Sequence, residues 1–211
     1  MNSPSDGALK NKLSSTTEKG RERAHAILQA ARALLASEGY AGLSMRAVAQ
    51  AAGMTLSNVQ HYYANRDALL EALLLSIMDE FQSKMDRIAA DMSERPRLER
   101  FLSTADMFLE EITHPATHAI FFEIWALAAR HPFASELMDK MLGRERKTVY
   151  NLIRGLNPAI GDEETMQRAI LVVAQVEGLM LFRLDRRRRR AQFDAVKASL
   201  RKALLALATM P

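Results

Sequence analysis

The stretch SMRAVAQAAGMTLSNVQHYY, Ser44 to Tyr63, holds two short helical patterns separated by a glycine. Ser44 and Thr55 are residue types that cap helix N-termini, because a side-chain oxygen takes up a backbone N–H left unpaired in the first turn. Gly53 supplies the sharp turn that ends the first pattern. The predicted helices therefore run from Met45 to Ala52 and from Leu56 to about Tyr63. Helices this short are unstable alone and must pack, and Val48, Ala49 and Val59 are spaced to form a small shared core. Two short helices with a tight turn at Ala52, Gly53 and Met54 make a helix-turn-helix, whose second helix enters the major groove of DNA. The outward candidates on that helix are Thr55, Leu56, Ser57, Asn58, Gln60 and His61. Asn and Gln make paired hydrogen bonds to adenine, Ser, Thr and His serve phosphates or bases, and Leu56 suits a thymine methyl.

Outward from this core the pattern stays helical. Upstream, Ala24, Ile27, Ala31 and Leu34, flanked by Leu28 and Leu35, predict a helix from about Glu18 to Ser37, stopped by Gly39. Downstream, Asn65 caps a long helix whose stripe is Leu70, Leu73, Leu74, Ile77, Phe81, Met85 and Ile88. Between Lys10 and Arg66 there are eight Lys or Arg and three Asp or Glu; from Asp67 onward the two signs cancel, twenty-one against twenty-one. A basic first quarter on a neutral body suits a polyanion-binding module joined to something else.

From Arg21 to Leu75 the sequence resembles the DNA-binding domain of the tetracycline-repressor (TetR) family of regulators. The resemblance rests on ordered features: Gly39–Tyr40, Ser44–Met45, the run AAG at Ala51–Gly53, Tyr62–Tyr63, and Arg66–Asp67 before ALL. It implies phosphate contacts for Thr55, His61 and Arg66 and base reading by Ser57, Asn58 and Gln60. Ser44, the backbone at Met45, and Arg46 would flank the groove. Two positions depart from the family pattern: Leu56 replaces a frequent Lys or Arg, and Gln60 a frequent aromatic residue. The operator sequence therefore does not carry over from a relative.

After about Met92 the reading rests on helix periodicity. Helices are expected from Pro96, from Pro115 to Arg130, from Pro132 to near Gly155, from a cap at Asp162 to about Leu184, and from Ala191 to Ala208. No strand-like alternation bounded by hairpin turns is present, so the expected class is all-α with about nine helices. The expected organisation is a flexible N-terminal arm (1–17), a helix-turn-helix domain (18–64) and a helical regulatory and dimerisation domain (65–211). The helix containing AILVVAQVEGLMLF is apolar nearly all round, so it must be covered on two sides. Phe193, Val196, Leu200, Ala203 and Leu207 form a seam in the last helix suited to a four-helix bundle. Val172, Val176, Phe193, Val196, Leu200 and Leu207 are thus the predicted dimer interface, an assembly that the resemblance also implies.

Aromatic and Met side chains in the body suit an apolar ligand, since Met repacks readily around varied shapes. The predicted lining is Phe108, Phe121, Trp125 and Met180, with the acids Glu123 and Glu177 placed to orient a cationic or hydroxylated ligand. The five arginines Arg186–Arg190 suit nucleic acid or anionic lipid, and equally a solvated connection or a partner for acids of a second subunit. A rival reading is an all-helical metal enzyme or carrier, because Glu111-x-x-His114 with His118 has the spacing of carboxylate-bridged metal sites. Pro115 interrupts that spacing, and Glu22-x-x-His25 repeats the pattern in the first quarter. No phosphate loop, nucleophile elbow or zinc-protease motif is present, and the absence of cysteine removes thiolate chemistry. No metal or cofactor is expected. The expected partners are a two-fold DNA operator, a second copy of the chain and an unidentified small-molecule effector. Without a transmembrane run or a secretory pattern, the expected location is the cytoplasm.

Overall fold

The computed structural model describes residues 18–182 and 190–210. The predicted arm at 1–17 and Arg186–Arg189 lie outside them. Nine α-helices and one 3-10 turn, with no strand, make up the described residues. The helices are α1 (Glu18–Gly42), α2 (Met45–Ala51), α3 (Leu56–Tyr62), α4 (Arg66–Asp91), α5 (Arg97–Ile112), α6 (Pro115–Ala128), α7 (Pro132–Ile153), α8 (Asp162–Gly178) and α9 (Arg190–Thr209). None is long and apolar enough to cross a membrane.

The chain divides into two compact units, one through Ser76 and one from Ile77. The sequence puts the boundary near residue 64; by compactness the first turns of α4 belong with the helix-turn-helix. Leu69, Leu70, Leu73 and Leu74 of those turns are fully buried, as are Ile27, Ala31 and Leu35 of α1. Burying a side chain of that size contributes roughly 1.5–3 kcal/mol. Within α1, Gly39 adopts φ 68°, ψ −173°, a backbone that breaks the helical path where the sequence predicts its end.

In the second unit α8 packs on α7, α6 on α7, and α9 on α5 and α8. Its core includes Phe101, Leu109, Ile120, Ile124, Val172 and Phe193. Pro115 and Pro132 each open a helix, as expected of a residue with fixed φ and no N–H to satisfy. Two boundaries differ from the sequence reading. Gly161, not Asp162, is the cap of α8; the Asp162 carboxylate instead accepts from Arg154 Nε and Nη2 at 2.9 and 3.0 Å. The α8 helix also stops at Gly178 and tightens into a 3-10 turn, Leu179–Phe182, rather than continuing towards Leu184.

Candidate nucleic-acid interface and body cavity

The three caps fix the helix-turn-helix. Ala47 N–H donates to Ser44 Oγ at 3.1 Å, Asn58 N–H to Thr55 Oγ1 at 3.2 Å, and Ala68 N–H to Asn65 Oδ1 at 2.9 Å. Gly53 turns the chain between α2 and α3 at φ 64°, a conformation costly for other residues. Val48, Ala49 and Val59 are buried, so one face of α3 is held down. Tyr63 is also buried, and its hydroxyl donates to the Ala24 carbonyl at 3.4 Å. Burial, with a smaller contribution from neighbouring Tyr62, pushes its phenol up to about 12. Tyr63 therefore ties the end of α3 to α1 as a neutral donor.

With that face buried, Thr55, Ser57, Asn58, Gln60 and His61 are all exposed, and Leu56 is half-buried. Ser44 and Arg46 are exposed at the start of α2, while Met45 is half-buried. Thr55 Oγ1 and Ser57 Oγ lie 3.0 Å apart, and the His61 ring meets Tyr62 edge-on with centroids 5.3 Å apart. Arg66 is differently placed from the free phosphate-reaching side chain of the sequence expectation. Its guanidinium carbon lies 3.8 Å from the centre of the Tyr40 ring, and Nη2 donates to the Tyr40 carbonyl. Arg66 thus locks the start of α4 onto the end of α1 through cation–π and hydrogen-bond contacts.

Residues 27–73 match the family model for bacterial regulatory proteins of the tetR family. Over 169 residues the chain is 31% identical to an uncharacterized HTH-type transcriptional regulator in the dhlA 5' region of Xanthobacter autotrophicus. That match covers 76% of this chain and 79% of the relative. The chain belongs to the tetR family of bacterial regulatory proteins. It is a DNA-binding transcriptional regulator of that family. Another relative is the HTH-type transcriptional repressor KstR of Mycolicibacterium smegmatis, 28% identical over 61% of this chain and 65% of KstR. The fold is similar to the crystal structure of the multidrug binding protein EbrR complexed with malachite green. There the TM-score is 0.64, with 21% identity, over 90% of this chain and 99% of that one.

The body of this tetR-family chain holds a cavity of about 30 Å³, between α5, α7 and α8. Its walls are Phe101, Thr104, Ala105 and Phe108 of α5, Glu145 and Val149 of α7, and Val172, Val173, Val176 and Glu177 of α8. Of the six predicted lining residues, Phe108 and Glu177 border it; Phe121, Glu123, Trp125 and Met180 do not. Phe121 is buried against Phe81, with ring centroids 6.1 Å apart, and Trp125 is 44% exposed on α6. Met180 is buried in the 3-10 turn, where its carbonyl meets His118 Nε2 at 2.9 Å. Glu123 is half-buried.

Glu145 escaped the sequence reading because Arg144 and Arg146 flank it like a solvated run. The signal was its place in the series Met138, Met141, Glu145, Val149, spaced as one helix face, and all four are buried. Oε1 of Glu145 and Oε2 of Glu177 are buried without a hydrogen-bond partner. Burial and the neighbouring Glu177 hold the Glu145 acid well above the usual carboxylate range, only partly offset by Arg146. Burial pushes Glu177 up to about 7.

The predicted dimer seam needs correction as well. Val172, Val176 and Phe193 are buried within their own chain, and Val196, Leu200 and Leu207 are half-buried. The α9 helix packs onto α5 and α8 of the same chain. The opposite faces remain uncovered: Met166, Ile170, Leu171 and Ala174 on α8, and Ala191, Ala195, Ala198 and Leu205 on α9. The metal pattern is taken up by other contacts. Glu111 accepts from Lys84 Nζ at 3.3 Å and from Thr117 Oγ1 at 3.0 Å. Among the described residues no three His, Asp or Glu side chains gather to hold a metal.

Proposed function

We propose that the chain is a cytoplasmic, homodimeric repressor that reads a two-fold operator and leaves it when a small molecule enters the body. The observation that carries the reading is α3 itself: Val59 is buried while Ser57, Asn58, Gln60 and His61 stand in solvent. The reading domain, 18–64, is completed by the first turns of α4 through Ser76, and the regulatory and dimerisation domain follows from Ile77. Ser57, Asn58 and Gln60 contact base edges, with Leu56 against a thymine methyl. Thr55, His61, Ser44, Arg46 and the backbone at Met45 serve the phosphates. Arg66 contributes positive charge near them while holding Tyr40. The likeness to KstR, a transcriptional repressor, supports the repressor sign.

Dimerisation through the uncovered faces of α8 and α9 would bury apolar surface that one copy leaves in water. It would also place two α3 helices for half-sites about one DNA turn or a multiple apart. A ligand in the cavity has a route to the reading unit. Phe108 in the cavity wall meets Phe81 of α4 edge-on, with centroids 5.2 Å apart, and α4 continues into the first unit. Release requires the ligand to favour one spacing of the reading helices over the other, since equal affinity shifts nothing. The likeness in fold to EbrR, a multidrug binding protein solved with malachite green, supports a body site of this kind.

The experiment is selection from a random duplex pool at fixed salt, followed by footprinting on DNA flanking the gene. Enrichment of a two-fold motif is the expected result. A pool with no enriched sequence would remove the reading.

A further inference from the structure

We propose that the body cavity binds a small alkylammonium cation, its head between Glu145 and Glu177 and its hydrocarbon against Val172, Val176, Phe101 and Phe108. The inference rests on the effector reading for its regulatory meaning, while the binding itself is a property of the body alone. Its basis is an imbalance in the cavity wall. Seven of the ten lining residues are Phe, Ala or Val, and the polar remainder is Thr104, Glu145 and Glu177. Glu145 is only 6% exposed, yet its Oε1 lacks a partner, as does the buried Oε2 of Glu177. Buried carboxyl oxygens left without donors are costly, so a site holding two of them calls for a ligand rich in N–H.

The chemistry narrows the ligand. An ammonium head offers three donors and a positive charge, enough to serve both acids at once. A neutral alcohol offers one donor and no charge, and an anion would be repelled. A divalent metal ion wants about six oxygen ligands, and here two carboxyl groups and one hydroxyl are at hand. That hydroxyl, Thr104 Oγ1, already donates to the Arg100 carbonyl at 2.8 Å and can only accept from a newcomer. Size sets a further limit. A cavity of about 30 Å³ holds about two waters, room for the ammonium head and its first carbon but not for a ring system. Val173 and Glu177 are half-buried, so the cavity comes near the surface at α8, and a longer chain has a way out there.

The test uses the full-length protein at pH 8 and constant ionic strength, with n-butylamine as the probe and n-butanol and n-butyrate as its neutral and anionic counterparts. Binding is read by NMR titration and by the shift in thermal unfolding midpoint. Butylammonium should bind at least tenfold more tightly than butanol, and butyrate should not bind. Glu145→Gln and Glu177→Gln keep the side-chain volume and should each weaken butylammonium at least tenfold while leaving butanol unchanged. Equal binding of butanol and butylammonium overturns the proposal, as does no binding of butylammonium. Full retention of affinity in both Gln variants overturns it too. None of these readouts involves DNA, so a failure here is distinct from a failure of the operator selection.

Discussion

In the reading unit the buried side chains are apolar or, as at Tyr63, hydrogen-bonded, a buried Nε without a partner belongs to the Arg66 guanidinium held on Tyr40, and the polar side chains of α3 stand in water. In the body Glu145, buried, and Glu177, half-buried, stand at a cavity wall, and each has a buried oxygen lacking a partner. The first arrangement is what a unit needs to present a fixed polar surface to a rigid duplex, where any slack in α3 would blur base contacts. The second stores an unmet electrostatic demand inside a packed helical layer, as the proposed small-molecule site requires. One chain thus spends stability in the body and conserves it in the reading unit.

The largest expected effect tests the small core of the first unit. Val59→Asp puts a charge where no partner is available and should cost on the order of 3–5 kcal/mol, abolishing DNA binding. Urea unfolding followed with far-UV circular dichroism checks it; a native-like midpoint would show that α3 is not held through Val59. Ile170→Lys should leave the monomer fold nearly unchanged, because Ile170 is 43% exposed, but split the dimer. Light scattering should then give the mass of one chain, and operator affinity should fall because single half-sites bind weakly. A dimer carrying that lysine would place the interface elsewhere.

Glu177→Gln probes the stored demand through pH. Between the ordinary carboxylate value of 4.5 and about 7, the unfolded chain is ionised at this position while the folded chain keeps the proton. Stability is therefore lost as pH rises through that window and stays lost above it. The Gln variant lacks the loss, so at pH 8 it should exceed the native protein by roughly 1–3 kcal/mol, with a smaller gap at pH 5. An equal gap at both pH values would contradict this. The smallest effect belongs to Trp125→Ala, whose side chain is 44% exposed and borders no part of the cavity. It should change stability by about 0.5 kcal/mol or less and leave butylammonium binding untouched.

The same contrast explains what the sequence made legible. The reading unit is written in local signals: Ser44, Thr55 and Asn65 cap the helices they precede, and Gly39 and Gly53 turn where predicted. Such features act within four residues, so one sequence suffices. The helix starts at Pro115 and Pro132 are local in the same way. The cavity is not local, since its walls come from three helices separated by loops and a further helix. Periodicity predicts that α8 is covered on two sides but not which side faces its own chain, and for that reason Val172 and Val176 prove internal while Ile170 and Leu171 are exposed. Likewise, the aromatic content of α6 predicts burial somewhere. Only packing reveals that Phe121 sits against Phe81 and Trp125 faces outward.

A two-fold dimer that reads bases through α3 makes a definite prediction for the base preferences of Asn58→Ala beside those of the native chain on the selected operator. Every base pair of the site is varied in turn at one salt concentration, because affinity depends steeply on salt. The prediction is a loss of about 1–3 kcal/mol on the native site, with preference relaxed at one position in each half-site, symmetrically about the centre. Unchanged preferences would contradict the placement of α3 in the major groove, and relaxation in a single half-site would contradict the two-fold dimer.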